Sequence, residues 1–129
     1  MKFFWKKGLL AGLANLVLGF VINWLAGAVL PTVASQYQNT AMFRPWSDPL
    51  MTVYFAYPFI LGLVLAYLWD KVGKPKPLEF AKFYFIIATI PGMFITYTSF
   101  QISLLMVLLW AATGFIQAWV AGWVFTKVK

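Results

Sequence analysis

The sequence predicts an all-α fold, a polytopic membrane protein of 129 residues built as one bundle of four transmembrane helices. Hydrophobic residues make up 63% of the chain and charged residues only 10%, whereas a soluble domain is about half apolar and a quarter charged. The apolar residues fall into four runs of roughly 20 residues, the length that a helix needs to cross a bilayer. Because lipid offers the backbone no hydrogen bonds, each run is predicted to be helical.

The four spans follow from these runs in chain order. They cover residues 8–30, 50–69, 78–100 and 104–125, with an outer loop at 31–49 and an inner loop at 70–77. In the outer loop, Val33, Tyr37 and Ala41 recur every four residues, which indicates a short interfacial helix. The first run also fits a signal peptide that ends at AGA, residues 26–28. The run is long for that role, so we expect a retained helix.

The basic residues predict the orientation. All nine lysines lie near the chain ends, in the inner loop or in the first turn of the third span, and the outer side carries only Arg44. By the positive-inside rule, we expect an N-in/C-in bundle with both termini cytoplasmic in a prokaryotic plasma (inner) membrane. The net charge of +7 is spread over short clusters beside apolar runs, so we expect the lipid bilayer as a partner and no nucleic acid.

Small residues recur at helical spacing on several spans. In lipid, such residues let helices approach closely. The main interpretation is packing within the bundle, and the alternatives are a polar lining for a solute path or a seam between copies. The candidate packing face comprises Gly19 and Gly27 in the first span and Gly114 and Gly122 in the fourth, and further small positions are Gly8 and Gly12 in the first span and Gly62 in the second.

Polar residues and prolines inside the spans form a second set. Counted from the outer ends at about 1.5 Å per residue, Asn23, Pro58 and Pro91 share one predicted layer, and Asn15 and Gln117 a deeper one. Pro58 and Pro91 are expected to free the carbonyls four residues earlier, those of Tyr54 and Ile87, as broken helices do at transporter sites, but prolines also serve packing alone. The set comprises Asn15, Asn23, Thr113 and Gln117 as an intramembrane polar site, with Pro58, Pro91 and Gly92 as kinks.

Residues 43–49 read FRPWSDP and place the single arginine beside one of only three acids in the chain. Asp48 precedes Pro49 at the start of the second span, where a carboxylate is predicted to cap the helix. Trp46 fits an interfacial aromatic belt. Arg44 has two interpretations, a pair with Asp48 or a contact with an anionic ligand or partner. Arg44, Trp46 and Asp48 are therefore the candidate contact residues.

Catalytic and metal-binding patterns are absent from the sequence. The chain has neither histidine nor cysteine, which removes the commonest general base and the usual transition-metal ligands. The interiors of the spans contain no charged residue, although ion-coupled pumps and proton relays usually need one. We therefore expect no enzyme activity, no metal and no cofactor.

Two segments resemble a known group of proteins. YQNTAMFRPWSDPLM, residues 37–51, and YPFILG, residues 57–62, are similar to segments in small four-helix proteins of bacterial inner membranes. The resemblance implies a bacterial plasma-membrane location and a four-helix topology. That group has no assigned reaction, so no functional residue is carried over.

These observations predict a non-enzymatic integral membrane protein that acts through helix packing, as a homo-oligomer or as an accessory subunit of a membrane complex. One alternative is a passive channel or carrier for an ion or small polar solute. A second alternative is the binding of lipid or a hydrophobic ligand at the aromatic-rich outer surface. The sequence leaves the identity of any small-molecule ligand open.

Overall fold

The computed structural model describes residues 2–39, 41, 43–45 and 47–128, without the side chains of residues 2–4 and 34. This part of the chain is helical apart from short connections and contains no strand. Within it, four helices are long and apolar enough to cross a membrane, and we name them TM1 to TM4 in order: Trp5–Val29, Pro49–Lys71, Pro77–Ser99 and Leu104–Lys127. The prediction of an all-α chain with four such helices is confirmed.

The spans contain both regular and irregular helix. The α-helices are α1 (Lys2–Val29), α2 (Pro31–Gln36), α3 (Tyr57–Lys71), α4 (Pro77–Tyr84), α5 (Ile90–Ser99) and α6 (Leu104–Lys127). TM2 begins as a 3₁₀ helix, Pro49–Ala56, and continues as α3. TM3 consists of α4, a π-helix at Phe85–Thr89 and α5. The four-residue spacing of Val33, Tyr37 and Ala41 predicted a short helix in this region; α2 contains Val33 but ends at Gln36, and Tyr37 lies in a turn.

Both intramembrane prolines lie where the type of helix changes. Pro58 is in the first turn of α3, directly after the 3₁₀ helix, and Pro91 is in the first turn of α5, directly after the π-helix. The carbonyl of Tyr54, which we expected Pro58 to leave free, accepts a hydrogen bond from the Tyr57 N–H. That expectation was wrong, because the 3₁₀ pattern pairs each carbonyl one residue earlier than an α-helix does.

The helices pack in the order TM2, TM1, TM4, TM3. α1 packs along α3 and α6, and α6 packs along α4. Three glycines bring TM1 and TM2 into backbone contact: a Cβ added at Gly62 would lie 2.7 Å from the Gly12 nitrogen, and one added at Gly8 would lie 3.0 Å from the Leu63 Cα. Only glycine fits such an approach, so this seam depends on the absence of side chains.

The four glycines predicted as a packing face differ from one another. A Cβ at Gly122 would meet the Pro77 Cα at 3.0 Å, and one at Gly114 would meet the Thr89 hydroxyl at 3.5 Å. These two glycines therefore contact TM3. Gly19 and Gly27 have nothing within 4 Å of a built Cβ. Among the described residues these two glycines therefore make no close helix contact, although Gly19, seven residues after Gly12, lies on nearly the same side of TM1 as the seam with TM2.

The buried core is concentrated at one end of the bundle. We call this the terminal end, which carries the start of α1, the end of α6 and the 70–77 connection, and the opposite end the loop end, which carries the described residues between α1 and TM2 and residues 100–103. Leu65, Trp69, Phe80 and Phe125 cluster at the terminal end, with the rings of Trp69 and Phe125 5.4 Å apart. Their packing forms a buried cluster at the terminal end.

Candidate functional site

At the loop end, the connection between TM1 and TM2 contacts TM4. The Ser103 hydroxyl donates to the Gln36 side-chain oxygen at 2.9 Å, and the Trp110 indole N–H donates to the Tyr37 hydroxyl. Phe43 packs against both rings, 5.0 Å from Tyr37 and 6.2 Å from Trp110 between centroids. These contacts hold the loop over the ends of TM1 and TM4 rather than out in solvent.

A cavity of about 510 Å³ lies beneath this loop. Volumes of about 300–1,000 Å³ are typical of small-molecule sites. TM1 contributes Asn23, Ala26 and Gly27, the loop contributes Val33, Tyr37, Phe43 and Arg44, TM2 contributes Met51 and Tyr54, and TM4 contributes Leu109 and Trp110. Most of this wall is apolar. Asn23 and Gly27 remain exposed, so the cavity is open rather than sealed.

Arg44 lies in the cavity wall and is paired with Asp48. One guanidinium nitrogen, Nη1, donates to Asp48 Oδ2 at 3.0 Å, while Asp48 Oδ1 accepts from the Leu50 N–H at 2.9 Å. Asp48 thus caps the 3₁₀ helix at the start of TM2. The Leu50 hydrogen bond, followed by that of Arg44, holds the pKa of Asp48 below its ordinary value. The arginine side chain is still 52% exposed, so it retains N–H groups for another acceptor.

The other polar groups in the cavity wall are neutral. Burial raises the pKa of Tyr37, and the Trp110 N–H donates to its oxygen, so the phenol keeps its proton as a donor. Asn23 offers a side-chain amide from TM1. The arginine and the phenol make hydrogen-bond donors prominent in the polar part of the wall.

No hydrogen bond joins the predicted intramembrane polar residues to one another in the part of the chain that the structure describes. Asn15 is completely buried, and neither its amide nitrogen nor its amide oxygen has a partner among the described residues. Thr113 donates to its own helix at the Leu109 carbonyl. Gln117 is half-buried, and no hydrogen bond joins it to Asn15 in the part of the chain described. The passive channel or carrier therefore stays a prediction.

The predicted outer layer was wrong for Pro58. A Cβ built at Gly12 would lie 3.2 Å from the Pro58 carbonyl, which places Pro58 at the level of Gly12, about 16 Å along TM1 from Asn23. The 3₁₀ helix contributes to the error, because it rises about 2.0 Å per residue and carries Pro58 deeper. Asn23 instead lies at the level of Met51 and Tyr54 in the cavity wall. Pro91 and Gly92 lie on TM3, outside that wall as described.

An ion pair at the terminal end was missed by sequence reasoning. The Lys7 ammonium lies 2.7 Å from Asp70 Oδ1 and 4.8 Å from the centre of the Trp69 ring. The Trp69 indole N–H donates to the Pro75 carbonyl at 2.9 Å. The signal for this pair was weak, because the two residues are far apart in sequence and their basic and acidic types also fit solvated flanks.

Trp46, the third candidate contact residue of FRPWSDP, lies outside the described residues. Comparison of the chain with protein-family models, with curated proteins and with solved structures finds no match. The interpretation of the site therefore rests on its own residues.

Proposed function

We propose that this protein is a non-enzymatic, multi-pass membrane protein that binds an amphipathic ligand in the loop-end cavity. The observation that carries the proposal is a cavity of about 510 Å³ with a largely apolar wall and a polar group at Arg44. Ligand sites have this character, an apolar lining with a few placed polar groups. The aromatic residues Tyr37, Phe43 and Trp110 give the wall a rigid surface against which an alkyl chain packs.

Two glycines on TM1 provide a matched test. Gly27 lines the cavity and Gly19 does not, yet both have open space around a built Cβ. A Cβ at either position meets no described atom within 4 Å, but only Gly27→Leu is expected to place its side chain in the cavity. We expect 1-lauroylglycerol, added in maltoside micelles and counted by native mass spectrometry, to bind the unmodified chain and Gly19→Leu and to be lost from Gly27→Leu. Equal binding to all three chains would contradict the proposal.

Assembly is a second proposed function, as a homo-oligomer or as an accessory subunit of a membrane complex. The observation that favours it is the open space beside Gly19, where no described atom lies within 4 Å of a built Cβ and a small residue would let a second helix approach closely. If copies associate there, Gly19→Leu lowers the oligomer fraction in native mass spectra. An unchanged distribution, or a monomer in the unmodified protein, would contradict self-association at Gly19.

The proposed location is a prokaryotic inner membrane with both termini cytoplasmic. The lysines of the terminal end support this orientation through the positive-inside rule. A fluorescent protein fused after residue 129 is then expected to fluoresce, whereas a secreted alkaline phosphatase fused there is expected to be inactive. The opposite pair of results would reverse the orientation.

A further inference from the structure

We propose that the ligand of the loop-end cavity is an amphiphile with an anionic phosphate head group, bound with its phosphate at Arg44 and its chain along the apolar wall. This inference rests on the proposed function and names the ligand class. The occupant is a membrane lipid rather than a soluble anion, because the head-group site and the apolar wall belong to one cavity.

The charge in the cavity favours an anion. Arg44 lines the cavity, and Asp48 is not among the described lining residues. Asp48 is fixed by the Leu50 N–H and takes a hydrogen bond from one guanidinium nitrogen. A guanidinium has five N–H donors in a planar fork that matches two phosphate oxygens. The Tyr37 hydroxyl adds a second donor. Its oxygen accepts from the Trp110 N–H, and its own O–H can therefore donate to a phosphate oxygen.

The position of the cavity along the bundle matches an amphiphile. Arg44 belongs to the loop beyond the end of TM1, whereas Asn23 lies seven residues before Leu30, about 10 Å into the span. The cavity therefore reaches from the level of the head groups into the hydrocarbon. Val33, Met51 and Leu109 supply apolar wall for the chain.

A pair of ligands that differ only in the phosphate tests the inference. We expect 1-lauroylglycerol 3-phosphate to bind the unmodified chain at least about fivefold more tightly than 1-lauroylglycerol, since charge-assisted hydrogen bonds are stronger than neutral ones. Arg44→Gln is expected to remove this preference while 1-lauroylglycerol still binds, and Arg44→Lys to keep part of it. Asp48→Asn is expected to enlarge the preference, because the amide still caps Leu50 but no longer neutralises Arg44.

A control variant and a competing ligand distinguish failure of the phosphate assignment from failure of the proposed function. Lys71→Gln removes an exposed cation at the terminal end and is expected to leave the preference unchanged. Equal binding of both ligands to the unmodified chain, or a preference that survives Arg44→Gln, would overturn the phosphate assignment and leave the proposed function intact. Glycerol 3-phosphate that competes as well as the lauroyl ester would show a soluble anion site instead. Binding unaffected by Gly27→Leu would overturn the proposed function itself.

Discussion

At the terminal end of the bundle, Lys7 and Asp70 form an ion pair in which the lysine side chain is only 7% exposed; at the loop end, the side chain of Arg44, paired with Asp48, is 52% exposed. The first pair lies against Trp69 in a packed core, whereas the second lies beside an open cavity. A buried cation must be paired, because an uncompensated charge there is costly. An exposed one has no such constraint and retains the capacity to bind a ligand.

The largest change in unfolding free energy is expected where the backbones of TM1 and TM2 touch, near the terminal end. Gly62→Ala places a methyl group against the backbone of Gly12, and such overpacking is expected to cost about 2–3 kcal/mol of unfolding free energy. Gly19→Ala, where the space is open, is expected to change stability by less than about 0.5 kcal/mol. Equilibrium unfolding in mixed micelles measures both. Equal losses for the two variants would show that the seam is not closely packed.

The buried ion pair is expected to give the next largest effect. Lys7→Met removes the partner of Asp70, which is itself 34% exposed, so we expect a loss of about 1–3 kcal/mol, below the range for a fully buried pair. Lys82→Met breaks an exposed pair with Glu79, 3.4 Å apart, and is expected to cost less than about 0.5 kcal/mol. The same unfolding assay compares them, and similar values would remove the distinction between buried and exposed pairs.

For Asn15, the sign of the change in unfolding free energy on substitution tests the structure. Its amide is completely buried and has no partner among the described residues, so replacing it by a leucine of similar size is expected to stabilise the protein by about 1 kcal/mol. A loss of stability in thermal unfolding would instead indicate that a water molecule or another group satisfies the amide. Asn23→Leu, at an exposed position in the cavity wall, is the comparison variant.

The smallest change in stability is expected from the titration of Asp48 at the loop end. Its pKa in the folded protein is lowered from 3.8 by the Leu50 and Arg44 hydrogen bonds. The contribution of its charge to stability is therefore present above pH 3.8 and is lost as the pH falls through the lower folded value. We expect the difference in Tm between the unmodified chain and Asp48→Asn to be constant above about pH 5 and to shrink at lower pH. A difference that does not depend on pH would exclude this linkage.

The spans were predictable because lipid allows few alternatives. Apolar length alone placed TM4 at 104–125, close to the observed Leu104–Lys127. The cap at Asp48 could also be predicted from the sequence, because an acid directly before a proline at a helix start can accept a hydrogen bond from a backbone N–H of the first turn. These features depend on neighbours in sequence, which a single chain displays directly.

The features that were missed depend on contacts between distant residues. The cavity requires the loop to fold back through Gln36 and Tyr37 onto TM4, and no local pattern encodes that contact. The irregular helices changed the depth of Pro58, although its sequence position was known. The glycine pattern predicted close packing in general, but only the structure distinguishes the contact at Gly62 from the open space at Gly27.

The difference in accessibility between the two ends is the central claim, and two leucines test it directly. The chain contains no cysteine, so Leu109→Cys in the cavity wall and Leu65→Cys in the terminal core each introduce a single thiol at a matched residue. We expect a charged methanethiosulfonate reagent to modify the Leu109→Cys protein in micelles, with protection by 1-lauroylglycerol 3-phosphate, and the Leu65→Cys protein to react only after unfolding. Equal reactivity of the two folded proteins, or no protection at Leu109→Cys, would contradict the account.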